Sequence, residues 1–217
     1  MRERRRARES AIVAATRELF DMRARRDASV DEIARAAGLS KALIYRAFDS
    51  KEETFLLTLT DYLAELNRRR GELPESEPAT ALRELCELYA DFCLEYPAFL
   101  DSALALMQRP ASELRDEVSG AAWARLGGAL AACVGPLVRT LSAGAEDGVF
   151  ADADAELTAN RICVQMLGTM HLARVGLGVR ELAPGVGETF EIDAALIREA
   201  CVSDALRLAT VPQGVPV

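Results

Sequence analysis

Lys41, Tyr45 and Arg46, within the run SKALIYRAF (residues 40–48), are the side chains of this chain best suited to meet a polyanion. An ammonium and a phenolic hydroxyl suit phosphate oxygens, and a guanidinium can grip the O6 and N7 edge of guanine with two parallel N–H bonds. At about 100° per residue on a helix, Lys41, Ala42, Tyr45 and Arg46 fall within an arc of about 140°. Ile44, Ala47 and Phe48 lie opposite, and Leu43 stands at the border. A helix of this kind packs one side and offers the other, as a helix lying in the major groove of DNA must. The competing reading is a pair of amphipathic helices around a glycine, with Arg46 merely solvated.

Catalytic and metal chemistry find no comparable grouping. His171 is the one histidine, with no HxxxH or ExxH spacing to give it a partner, so it reads as a core or interface residue. The five cysteines, Cys86, Cys93, Cys133, Cys163 and Cys201, are scattered without a CxxC and read as buried, inert thiols. No nucleophile–base pair stands out. The expectation is a protein that is not an enzyme, with no catalytic residues, no metal site and no cofactor.

The elements that must position residues 41–46 can be read outward from them. SVDE is a capping box, in which Ser29 caps the backbone amides and Glu32 reaches back. It starts a second helix, which Gly38 ends, and Ser40 can cap the third. Ile33, Ala34 and Ala37 give that second helix an apolar side, the alanines allowing close approach. Before it, Ile12, Val13, Thr16, Leu19 and Phe20 mark a first helix over about Glu3–Asp21. After it, Ser50 with Glu53 forms a second capping box and opens a fourth helix reaching about Arg70. GELPESEP breaks the chain, and helices follow over about 79–96, to 108, 111–143, 154–178 and 192–209. SG at 119 and GG at 127 could bend the 111–143 stretch, Pro136 should kink or split it, and a Gly- and Pro-rich loop should join the last two helices. No segment alternates as a strand would. The fold class is all-α, with about nine helices.

The chain has 217 residues and a net charge of -8, but the charge is uneven. Residues 1–70 carry 16 Lys and Arg against 12 Asp and Glu, and the remaining residues carry 10 against 22. Attraction to phosphate depends on the local field of the contacting face, so an acidic total does not exclude a nucleic-acid partner. The opening MRERRRARES lacks the apolar run of a secretory signal. LGGALAACVGPLV is too short for a membrane span, and ICVQMLGTMHLARVGLGV is interrupted by Gln165, His171 and Arg174. The expectation is a cytoplasmic protein without a membrane partner.

AIVAATRELF, followed after eight residues by SVDEIARAAGLSKALIYRAFDSKEETFLL, resembles the N-terminal region of the TetR family of transcriptional regulators over about residues 8–57. The resemblance implies a homodimer of all-helical subunits. In each, a three-helix DNA-binding domain is joined through helix 4 to a larger ligand-binding and dimerising domain. It implies that Ser29 touches phosphate, that Lys41, Ala42, Tyr45 and Arg46 face DNA, and that Lys51 with the helix 4 N-terminus holds a backbone phosphate. Leu43 stands where the family often has a small hydroxyl, and could instead meet a thymine methyl. Ala24 and Arg25 stand where the family often has glycine and an aromatic, so the turn after helix 1 is shaped differently or the helix runs longer.

The expected domains are 1–50 (helix-turn-helix), 51–210 (effector-binding and dimerisation) and a flexible tail, 211–217. Effector-lining candidates are Phe92, Phe99, Met107, Trp123 and Met166, large apolar side chains that could equally be ordinary core. The segments 155–178 and 192–209 could form a four-helix interface with a second copy. The functional expectation is a ligand-responsive repressor, released from a palindromic double-stranded DNA operator by an unknown small apolar or amphipathic effector. The alternative is a TetR-like small-molecule binding module without sequence-specific DNA binding.

Overall fold

The structure, a computed structural model, describes residues 2–210. The expected tail, 211–217, lies outside the described residues. Among those described there are ten helices, α1 (Arg2–Arg23), α2 (Val30–Ala36), α3 (Lys41–Ala47), α4 (Lys51–Arg70), α5 (Pro78–Glu95), α6 (Pro97–Met107), α7 (Ala111–Asp116), α8 (Gly120–Glu146), α9 (Ala155–Val175) and α10 (Ala194–Thr210). Two short strands, β1 (Leu177–Ala183) and β2 (Val186–Glu191), stand between α9 and α10.

The chain divides into two compact units. Unit 1 holds the chain up to Asn67 together with Tyr96–Ala131. On α1, Ile12, Val13, Thr16, Leu19 and Phe20 are all buried, as their spacing predicts. Phe20 meets Phe55 of α4 edge to face, with ring centroids 4.9 Å apart. Higher on α4, Tyr62 is enclosed by the Tyr96 and Phe99 rings, with the Arg17 guanidinium over its face at 4.3 Å. Its hydroxyl donates to Asp21 Oδ1 at 2.5 Å, and burial followed by that acceptor pushes the phenol up from its ordinary pKa. Arg17 in turn donates to Asp61 at 2.7 Å, so α1 and α4 are held by polar ties as well as rings.

Unit 2 holds Arg68–Glu95 and the chain from Ala132 onward. Its core gathers Leu82, Phe92 and Cys93 of α5, Ile162, Met166 and Met170 of α9, and Cys201, Val202 and Ala205 of α10. Arg198 of α10 makes a bidentate pair with Asp91 of α5, at 2.5 and 2.7 Å. At the end of α8, Gly144 lies under the Phe150 ring so closely that an added Cβ would sit 2.1 Å from it.

Residues 177–191 correct the sequence expectation of a loop. β1 and β2 pair antiparallel about Pro184–Gly185, with Arg180 opposite Glu188 and Phe190 opposite Gly178. Arg180 Nε donates to Glu188 Oε2 at 2.5 Å across the strands. Val179, Leu182 and Val186 are all exposed, so the alternation of buried and solvated residues that reveals a strand is missing. α9 accordingly ends at Val175, capped by Gly176, rather than near Gly178.

α8 runs through Pro136 without splitting, so of the kink or split expected there the split is excluded. A helix-interior proline removes one backbone bond, and a 27-residue helix keeps the rest. The break falls at Ser119, one of the expected bends, whose Oγ accepts the Ala122 amide at 3.2 Å and caps α8. By length and composition α8 could also cross a membrane, with mean hydropathy 1.4 over its most apolar stretch. The run read from sequence as too short is bounded by Arg125 and Arg139, and beyond them α8 continues in residues that are mostly small or apolar.

Candidate nucleic-acid interface

α2 and α3 are set by their caps. Ser29 Oγ accepts the Glu32 amide at 3.3 Å, and Glu32 Oε2 accepts the Ser29 amide at 2.8 Å, which is the capping box expected from SVDE. The Arg23 guanidinium, donating to Glu32 at 2.5 Å, and then the Ser29 amide and hydroxyl, hold the Glu32 carboxyl down to about 2. Gly38, at φ 65, supplies the left-handed turn after α2. Ser40 occupies the N-cap of α3, but its side chain makes no capping bond, against expectation. At the end of α1, Ala24 takes φ 52, a conformation that favours glycine, and the chain turns there without one.

On α3 the inward side is Ile44, with Phe48 just beyond, both nearly inaccessible. Leu43 and Ala47 are half-buried. Lys41, Ala42, Tyr45 and Arg46 are all exposed, Tyr45 by 54%. Arg46 has no ion pair or hydrogen bond among the described residues, so its five N–H donors are uncommitted. Lys41 is engaged: its Nζ donates to Asp31 Oδ2 at 3.0 Å. Both groups are exposed, and a solvent-screened pair of this kind is weak enough for a phosphate to displace it. Ser29 is engaged more firmly, since its hydroxyl also donates to Glu32 Oε2 at 2.7 Å.

Lys51 opens α4, exposed, with its Nζ 4.8 Å above the Phe55 ring. The second capping box is rearranged: Ser50 Oγ accepts the Glu53 amide at 2.9 Å, but Glu53 accepts from the Asp49 amide and from Ser119 Oγ. One buried carboxylate therefore fixes the entry to α4 and the start of α8. The α4 N-terminus also carries Glu52, which binds Arg26. Lys51 must work against both acids if it holds an anion.

The candidate effector residues fall in both units. Phe99, Met107 and Trp123 belong to unit 1, and Phe92 and Met166 to unit 2. Phe92, Phe99 and Met166 are buried, Met107 is exposed and Trp123 is half-buried. In unit 1 a cavity of about 150 Å³ is lined by α4, α6 and α7 together with Arg26 and Arg109. A shallower groove of about 280 Å³ in unit 2 is lined by Arg83, Phe150 and Leu206 among others. None of the five candidates lines either one. Arg26, Glu52 and Arg109 went unnoticed in the sequence because only folding gathers them from the α1–α2 turn, α4 and the α6–α7 link.

The cysteines sit in unit 2. Burial pushes the Cys86 and Cys201 thiols up to about 12 and Cys163 to about 11, and raises Cys93 further. These are environments that suppress the reactive thiolate. Among the described residues no group of three His, Cys, Asp or Glu could hold a metal ion.

Residues 12–57 match the family model described as "Bacterial regulatory proteins, tetR family". No curated protein matches the chain. Among solved structures, a TetR transcription regulator from Haloarcula marismortui superposes with a TM-score of 0.65 at 18% identity, over 94% of this chain and 96% of that one. The transcriptional regulator FadR from Bacillus subtilis, solved in complex with stearoyl-CoA, gives 0.62 at 16% identity, over 91% and 97%. A tetR-family regulatory protein from Rhodococcus RHA1 gives 0.62 at 18%, over 95% and 98%. The matched segment contains α2, α3 and the exposed Lys41–Arg46 side, and the likeness of fold extends over nearly the whole chain. Residues 12–57 thus match the tetR family of bacterial regulatory proteins, and the chain as a whole has the fold of these TetR regulator structures.

Proposed function

We propose that this protein is a ligand-responsive DNA-binding transcriptional repressor, cytoplasmic and homodimeric, that leaves a palindromic operator when a small effector binds. One observation carries the reading: within the tetR-family segment, α3 is anchored by Ile44 and Phe48 and turns Lys41, Ala42, Tyr45 and the uncommitted Arg46 outward. In this reading Arg46 contacts base edges, Lys41 exchanges Asp31 for a phosphate, and Tyr45 gives its hydroxyl to the backbone. Leu43 reaches a thymine methyl, and Lys51 meets phosphate beside the α4 N-terminus. Ser29 supports the contact by holding α2 in place, its hydroxyl exchanging Glu32 for phosphate if it touches DNA.

The dimer is supported by α9. Leu157, Val164, Leu172 and Val175 are exposed at helical spacing, and Leu196 is exposed on α10. A second copy of the same surface would cover them, and a two-fold dimer sets two reading helices on half-sites about one DNA turn or a multiple apart. FadR, a structure of like fold, was solved with stearoyl-CoA, which favours a small-molecule signal here too. For such a signal to release DNA, the effector must prefer the conformation that does not bind it.

The test is fluorescence anisotropy against DNA from the gene's own upstream region, at two salt concentrations, with scrambled competitor. Tight, competitor-resistant binding that the Tyr45→Phe, Arg46→Ala double variant loses is the expected result. Loss of one bidentate base contact should cost about 1–3 kcal/mol at its site. Equal, salt-sensitive binding of both DNAs across genomic fragments would instead favour the alternative, a binding module without operator recognition. The commitments of Lys41 to Asp31 and of Ser29 to Glu32 are the observations on that side.

A further inference from the structure

We infer that unit 1 contains a binding site for a small amphipathic carboxylate, the cavity of about 150 Å³ between α4 and α6, with Arg26 at its mouth. The inference names a site and a ligand class for the ligand-responsive reading above, and rests on that reading only for its consequence at DNA. Its apolar wall is made by Phe55, Leu56 and Leu59 from α4 with Ala105 and Leu106 from α6. A cavity of roughly this volume, lined by apolar side chains, accommodates a benzene-sized body. Ser102 and Gln108 of the lining are polar, and the charged groups gather where Arg26, Glu52 and Arg109 meet.

Those three groups differ in how fully they are engaged. Arg109 is satisfied, giving Glu117 two bonds at 2.9 and 2.6 Å, with Glu113 at 3.9 Å. Arg26 stands with its guanidinium 4.6 Å above the Phe55 ring and only 25% exposed. It donates one N–H to Glu52, and no other acceptor among the described residues takes the rest. A half-buried guanidinium has five N–H donors in a planar fork, a geometry matched by a carboxylate accepting two of them side by side. A ring or short branched chain in the apolar cavity, with its carboxylate on Arg26, satisfies both halves of the site. Glu52 is then displaced, but it remains within electrostatic reach of Arg109. A cationic ligand would oppose both guanidiniums, and a neutral one would leave the fork unmatched.

The Arg26–Glu52 pair ties the turn between α1 and α2 to the first turn of α4, which directly follows the reading helix. A carboxylate on Arg26 therefore breaks a tie within the helix-turn-helix unit itself.

The experiment is isothermal titration calorimetry of the full chain with benzoate as probe, benzyl alcohol as its neutral counterpart, and no DNA present. Saturable benzoate binding is expected, with benzyl alcohol weaker by about tenfold or more, the equivalent of one charge-assisted bidentate contact. Glu52→Gln removes the internal competitor and should tighten benzoate several-fold, an outcome that loss of structure cannot imitate. Ala105→Leu fills the cavity while leaving every charge in place, and should abolish binding with the circular dichroism spectrum unchanged. No saturation up to about 10 mM, where even a millimolar site would fill, overturns the inference. Equal affinities for benzoate and benzyl alcohol, or indifference to both substitutions, also overturn it. Failure to find operator binding would count against the regulator reading and leave this titration unaffected.

Discussion

Ala24 shows how a single residue can carry strain in plain view. The α1 helix ends at Arg23, and the next residue turns the chain at φ 52, with its amide on Asp21 O at 3.1 Å and the Arg25 amide on Phe20 O at 3.2 Å. This is the backbone geometry of a glycine helix stop, built on a residue whose Cβ crowds the following carbonyl. Ala24→Gly should therefore stabilise the protein by about 1 kcal/mol, less a few tenths for the freer unfolded chain. In a domain of this size that is a rise in Tm of about 2–4 °C, read by thermal denaturation. A fall in Tm would show that the turn is not strained. At the same scale, and on the proposed reading, Arg46 gives up no ion pair on meeting DNA, whereas Lys41 must first release Asp31.

Among the elements, α2 is the one whose stability should depend on pH, because one carboxylate joins its cap to α1. Arg23 first, then the Ser29 backbone and hydroxyl, lower the Glu32 carboxyl to about 2 from an ordinary 4.5. A carboxyl lowered on folding stabilises the folded form above its ordinary value and loses that contribution as pH falls through its folded one. The start of α2 should thus loosen between about pH 4.5 and about pH 2. Glu32→Gln should flatten the transition in that window while leaving it elsewhere unchanged. Amide exchange at Ser29 and Glu32, followed by NMR across the window, makes the comparison. An inflexion that survives in Glu32→Gln would assign it to another acid. The hairpin teaches a different lesson at this scale, since its strands pair with each other and bury nothing, so hydrophobic patterning could not announce them.

For the molecule as a whole, the uneven charge and the exposed apolar residues of unit 2 have one physical account. Residues 1–70 carry the cationic excess and the later residues the acids, so on the proposed reading phosphate meets the local field around α3 rather than the net charge. Acids elsewhere discourage non-specific adsorption. The exposed leucines and valines of α9 need cover, which the proposed second copy supplies. A Val164→Glu, Leu172→Glu double variant should halve the mass seen by sedimentation equilibrium while keeping its helical circular dichroism. It should also weaken DNA binding, because two linked reading heads hold far more tightly than one. A wild-type protein that sediments as a monomer, or a variant that still dimerises, would put the interface elsewhere or remove it.

The sequence by itself determined what local chemistry determines: the helix-turn-helix pattern, the Ser29–Glu32 capping box, the buried stripe of α1 and the helical character of almost every segment. Each of these depends on residues within a few positions of one another, so spacing alone reveals them. Tertiary structure alone decided what depends on distant partners. It placed Asp31 on Lys41, brought Arg26, Glu52 and Arg109 to one cavity mouth, and carried Glu53 to Ser119, 66 positions away. It also distributed the five effector candidates over two units, because an apolar side chain at helical spacing announces burial without saying against what. Continuity of α8 through Pro136 belongs here too, since neighbouring turns rather than the proline decide whether a helix survives.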